Sequence, residues 1–135
     1  MRYSRTQRSG ASALETALVL PVLLILLSGI TDFGWFFAQN LRVNHSVRQA
    51  ARSAAGTDYD LGPEDYGQAE LEAQLASFDL PYSEATTASV VVDETTGLVT
   101  VTYLADYNPI LGLLVSAGRV NLAAGMTLAM EDLSP

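Results

Sequence analysis

The sequence predicts an α+β protein: a long N-terminal helix, transmembrane and then amphipathic, followed by a small extracytoplasmic domain with a second helix and an antiparallel sheet of about three strands. Three observations carry this. Residues 16–31 contain no charge and are rich in Leu, Val and Ile. Apolar residues recur every three or four positions up to Phe78, then every second position after Thr86. Charge is also split along the chain. Residues 1–56 hold six arginines against Glu15 and Asp32, a net of +4, whereas 57–135 hold Arg119 against thirteen acids, a net of −12. The sum is the net charge of −8. A basic stretch beside an apolar segment and an acidic stretch beyond it suit a protein with its foot in one compartment and its body in another.

The expected organisation is a basic leader over 1–10, a transmembrane helix over 11–38, its amphipathic continuation over 39–56 and an acidic extracytoplasmic domain over 57–135. The uncharged run of 16 residues falls short of the roughly 20 that cross a bilayer. Counting from Ala11, with Glu15 near one surface, brings it into range. Trp35, Phe36 and Phe37 then fall at the level of an interfacial aromatic belt. Arg2, Arg5 and Arg8 favour a cytoplasmic N-terminus. Arg42, Arg48 and Arg52 count against it, but they are spread further from the apolar run and Asp32 stands between. A cleaved secretory signal fits less well, because the apolar region is too long and no small-x-small site follows it. A plain, unprocessed anchor leaves Glu15 unexplained, since a carboxylate deep in a bilayer costs about 3 kcal/mol. A cut between Gly10 and Ala11 would create an α-ammonium four residues before Glu15, a suitable counter-ion on the same chain or a neighbour. Pro21 removes one helical hydrogen bond and predicts a kink that membrane helices tolerate.

From Leu41 to Ala55, Val43, Val47, Ala50, Ala51 and Ala54 form one apolar face, with Arg42, His45, Gln49 and Arg52 opposite. That face is expected to pack on the chain's own domain. Gly56 is the expected cap. Residues 57–67 read as an acidic loop. Asp58 and Asp60 resemble the start of a calcium loop, but Pro63 stands where that template requires glycine and Ala69 where it requires the bidentate acid. Glu64 to Phe78 reads as a helix opened by Pro63, with Leu71, Leu75 and Phe78 as its stripe, closed by Pro81. Strands are expected at Ala88–Val92, Leu98–Ala105 and Arg119–Glu131, the first two joined by a hairpin at Asp93–Gly97. In the second, Val99, Val101 and Tyr103 share a face. In the third, Val120, Leu122, Ala124, Met126, Leu128 and Met130 do. Ala123, Gly125 and Ala129 leave the opposite face small. Asn108-Pro109 breaks the pattern, and Ile110 to Val115 is apolar, either a short helix or a buried loop serving the domain's own core; the alternative is that Pro109 to Val115 forms an exposed apolar patch for a partner subunit.

The residue order also resembles a known family. Gly10-Ala11, Glu15 at the fifth position after the break, Leu14-Glu15-Thr16-Ala17-Leu18-Val19-Leu20-Pro21, then Asp32-Phe33-Gly34, Asn44, Ala50-Ala51-Arg52 and Ala54-Ala55 are similar in order and spacing to the TadE/TadG-like pseudopilins of tight-adherence (Flp) pilus systems. Thr16 stands where that family usually has an aromatic, and Asp32 where it usually has glutamate. The resemblance covers residues 8–56 well and 98–132 only in general pattern. It implies a pilin-like fold, a class III signal cut by a prepilin peptidase at Gly10-Ala11, and recognition or assembly roles for Glu15, Pro21, Asp32, Phe33 and Gly34. The implied partners are the membrane, the peptidase, other pilin or pseudopilin subunits and the Tad assembly machinery at the cytoplasmic membrane.

No catalytic residue, metal ligand set or cofactor is expected, nor a small-molecule substrate. There is no cysteine and no Gly-x-Ser-x-Gly or phosphate loop, and His45 is the sole histidine. The acidic distal part argues against nucleic acid, because phosphate would be repelled. The expected function is therefore a non-enzymatic, processed pilus-assembly subunit. The alternative is an unprocessed single-pass binding module of another envelope or secretion complex.

Overall fold

The computed structural model describes residues 5–78, 80, 85–112 and 120–130. Its first element, α1 (Arg5–Ala55), is a single helix of 51 residues, continuous across Pro21. A short 3-10 turn (Tyr59–Leu61) leads into α2 (Pro63–Ser77), which opens with Pro63 in its first turn and Glu64 and Asp65 beside its N-terminus. Both features suit a helix start. Three strands follow, β1 (Ala85–Asp93), β2 (Leu98–Asp106) and β3 (Asn121–Ala129). They form one antiparallel sheet in the order β1-β2-β3. This is the expected α+β architecture. β1 begins three residues earlier than its alternation suggested, with a register irregularity between Ala85 and Thr87. Residues 1–4 of the leader, Pro81, 113–115 of the apolar segment, Arg119 and Glu131 lie outside the described residues.

Both helices lie on one face of the sheet: α1 packs on β2 and β3, and α2 packs on α1 and β1. The core comes from the predicted faces. Val43, Val47, Ala50, Ala51 and Ala54 of α1 meet Leu71 and Leu75 of α2, Val90 of β1, Val99, Val101 and Tyr103 of β2, and Leu122 of β3. The opposite sheet face, with Ala123, Gly125 and Ala129, is exposed. The α1 face is thus consumed by the chain's own domain.

Two local expectations change. Trp35 and Phe36 are half-buried against the domain rather than displayed around the helix, and Phe37 alone of the three is exposed. The cause is that the covered stripe of α1 starts much earlier than Leu41. Ser28, Asp32, Phe36, Val43, Val47, Ala50 and Ala54 follow one another at helical spacing, and the stripe is covered from Ser28 onward. Gly56 follows the helix but is not among the left-handed glycines, which are Gly62, Gly97 and Gly112 among the described residues. The last turn closes through backbone bonds, Gly56 N–H to the Arg52 carbonyl at 3.0 Å and Thr57 N–H to the Ala54 carbonyl at 3.2 Å.

The domain stands with one end towards the apolar half of α1. α2 runs back along α1, so Phe78 reaches Arg42, whose guanidinium sits 5.5 Å from the Trp35 ring centre and 5.8 Å from that of Phe78. These rings give a cation near the apolar run a favourable face. The β1–β2 hairpin lies at the other end. There Asp93 takes hydrogen bonds from the Thr95 and Thr96 hydroxyls and the Thr95 N–H, which hold its carboxyl down at about 2. Glu64 ties the start of α2 to β1 by accepting the Val92 N–H at 2.9 Å.

The close approach of α1 and α2 requires Gly67. A Cβ there would lie 2.8 Å from the Ala54 Cβ and 3.0 Å from Val90 Cγ1. We expect Gly67→Ala to lower stability by about 1–2 kcal/mol, because overpacking outweighs the helix-propensity gain of about 1 kcal/mol. Denaturant unfolding of the detergent-solubilised chain tests this, and a stabilised variant would contradict the packing.

Candidate functional site

The residues singled out in the sequence fall into two groups along α1. Gly10, Ala11, Glu15 and Pro21 lie on the first, uncovered part of the helix. A Cβ on Gly10 would meet nothing within 4 Å, so nothing in the fold requires glycine there. Glu15 is exposed and borders a shallow apolar groove formed with Val19, Leu20 and Leu23, while the Thr16 hydroxyl bonds back to the Ser12 carbonyl at 3.0 Å. From Leu14 to Leu27, ten large aliphatic side chains stand exposed. Each forgoes about 1.5–3 kcal/mol by facing water rather than an apolar environment. By length and composition α1 is a helix able to cross a membrane.

The second group is built around Asp32. This residue is 1% exposed. Its carboxylate accepts two successive backbone N–H groups, Leu111 to Oδ1 at 2.9 Å and Gly112 to Oδ2 at 3.0 Å. Its own carbonyl accepts the Tyr107 hydroxyl at 2.7 Å. Three bonds thus clasp the connection after β2 to one turn of α1. The local sequence explains how the loop can do this. Asn108-Pro109 turns the chain out of β2, and Gly112 has φ 64°, a left-handed conformation that side chains other than glycine adopt at a cost of about 1–2 kcal/mol. Successive N–H groups in such a turn make a concavity suited to an anion. Tyr107 is further held by Phe36 in an edge-to-face contact, ring centres 5.2 Å apart, and its N–H donates to the Val120 carbonyl at 2.8 Å. Burial, and secondarily the Asp32 charge, push the Tyr107 hydroxyl above its ordinary pKa.

Phe33 lines a small cavity with Asp32, Phe36, Tyr107 and Val120, and Gly34 is open on its outer side. Of Asp32-Phe33-Gly34, the structure therefore brings the first two to the clasp. Tyr107, Leu111 and Gly112 were not singled out in the sequence. Asn108-Pro109 marked a break after the second strand, but nothing local named the loop's partner 75 or more residues away. Chemically, the clasp is a set of satisfied hydrogen bonds. Among the described residues no group of three or more His, Cys, Asp or Glu is placed to hold a metal.

The clasp also resolves the length of the apolar run. With Asp32 covered and bonded, no charged side chain is exposed on α1 between Glu15 and Arg42. The uncharged surface is then long enough for a bilayer of about 30 Å.

A family model described as TadE-like protein matches residues 10–52. Over this stretch the chain is similar to TadE-like proteins. The match takes in Gly10, Glu15, Pro21, Asp32 and most of the α1 face that packs on the domain, but not Tyr107, Leu111 or Gly112. The TadE-like segment ends before α2 and the sheet. No curated protein and no solved structure matches the chain.

The clasp predicts an order of stability. Asp32→Ala leaves both loop N–H groups without their acceptor and should cost about 2–3 kcal/mol, whereas Asp32→Asn retains one acceptor oxygen and should cost about half as much. Thermal unfolding of the full chain in detergent reads this out. Three equal stabilities would mean that the carboxylate holds nothing.

Proposed function

We propose that this chain is a non-enzymatic pseudopilin of a Tad/Flp-type pilus, cut by a prepilin peptidase between Gly10 and Ala11. After the cut it spans the cytoplasmic membrane through α1, with the N-terminus cytoplasmic and the α+β domain outside. It acts by binding: the apolar half of α1 meets the bilayer and neighbouring pilin or pseudopilin helices, and the domain stands above as part of the assembly. The observation that carries this reading is the TadE-like match over the one helix whose first half the domain leaves uncovered.

Two details support the processing step. Glycine at position 10 has no role in the fold, so its small size is available to a peptidase that reads it. Glu15 is exposed on an otherwise apolar surface, where a carboxylate calls for a counter-ion. The ammonium created at Ala11 supplies one, on this chain or on the next subunit, at a spacing of one helical turn. Charge agrees with the orientation: the leader carries three arginines, and the domain beyond the helix is acidic.

Intact-mass measurement and N-terminal sequencing from cells containing a prepilin peptidase should give a mature chain beginning at Ala11. Gly10→Val should leave the full-length form in the membrane. Met1 retained in the wild-type chain would overturn processing and leave an unprocessed single-pass anchor as the reading.

A further inference from the structure

We propose that the loop from Tyr107 to Gly112 is itself a membrane-contacting element, with Ile110 and Leu111 seated among lipid in the outer-leaflet interface beside α1. This rests on the reading of α1 as a spanning helix.

Depth is the first argument. Glu15 and Asp32 are 17 residues apart, about 26 Å along a helix. The hydrocarbon core is about 30 Å thick. With Glu15 at or inside one boundary, Asp32 lies at or just inside the other. The loop is fixed at the same depth, because Leu111 and Gly112 donate directly to the Asp32 carboxylate at 2.9 and 3.0 Å. The covered stripe of α1 also extends a turn deeper than the clasp: Ser28 is only 2% exposed.

Surface chemistry is the second. Ile110 and Leu111 are 55% and 54% exposed although they are the most apolar residues of the described loop. Beside them Phe33 of α1, itself exposed, lines the small cavity with Asp32 and Tyr107. The clasp fixes these side chains at the depth of the outer-leaflet interface, which is why lipid rather than a second copy of the chain is assigned to them. Glu64 and the hairpin acids Asp93 and Glu94 lie at the far end of the domain, and Asp106, exposed just before the loop, marks its water-facing side.

Backbone satisfaction is the third. Irregular backbone enters a bilayer only where its polar groups find partners within the protein. Here the N–H groups of Leu111 and Gly112 are taken by Asp32, and that of Tyr107 by Val120. The carboxylate, the costliest group at this depth, and two of the loop's N–H groups satisfy each other, which suits a loop in the interface rather than in the hydrocarbon core.

The test uses the full chain reconstituted into phosphatidylcholine vesicles whose acyl chains carry bromine near the glycerol end or near the methyl end. Trp35, the one tryptophan, is changed to Phe, and a single tryptophan is placed by Leu111→Trp, Leu24→Trp or Glu94→Trp. The tryptophan at position 111 should lose fluorescence to the shallow bromines more than to the deep ones. The one at position 24 should show the reverse, and the one at 94 should lose none. If position 24 is quenched while 111 behaves like 94, the loop proposal is overturned and the span stands. If position 24 is not quenched, the span fails and the loop proposal with it. A tryptophan at 111 shielded from both lipids, yet quenched after dilution of the protein into more lipid, identifies a second copy as the occupant and also overturns the proposal. Ile110→Trp repeats the reading should Leu111→Trp disturb the loop.

Discussion

A carboxylate on an apolar helix must find donors or remain at the surface, and Asp32 finds them within its own chain. Burying an ionised group without partners costs several kcal/mol. Here two backbone N–H groups meet the two oxygens, while the Tyr107 hydroxyl bonds the carbonyl of the same residue. Because those partners come from the segment after β2, satisfying one charge fixes where the sheet sits along a helix of 51 residues. The rest of the arrangement follows. Tyr107 docks on Phe36, β2 and β3 lie along the α1 stripe, and α2 returns beside it through the narrow contact at Gly67.

The same interaction separates two surfaces of one helix. From Gly10 to Leu27, α1 is uncovered on all sides and largely apolar, and after Asp32 one side belongs to the domain. The two halves differ in cover: the first has none among the described residues, and the second has its alanines and valines covered by α2 and the sheet. A protein built this way is complete only with something against its first half. A bilayer followed by neighbouring helices of an assembly meets that need, consistent with the TadE-like character of residues 10–52.

Periodicity made much of the fold legible in the sequence. Val43, Val47, Ala50, Ala51 and Ala54 recur at helical spacing and are all buried; Val99, Val101 and Tyr103 alternate and are buried on one face. These patterns are local, so the residues that create them are neighbours in the chain. The clasp was legible only in part. Asp32 stood out as a charge in an apolar run and as part of Asp32-Phe33-Gly34, yet its partners are backbone N–H groups at Leu111 and Gly112, which side-chain identity does not advertise. For the same reason Trp35 and Phe36 read as a belt around the helix: their burial depends on Tyr107 and Phe78, set by tertiary contact rather than by spacing.

Amide hydrogen exchange at Leu111 and Gly112, in the full chain embedded in a bilayer, addresses the clasp most directly. If the Asp32 carboxylate anchors the loop to α1, both amides should exchange as slowly as the paired amides of β2. Exchange at the rate of an open loop, with β2 still protected, would contradict the central place given to Asp32.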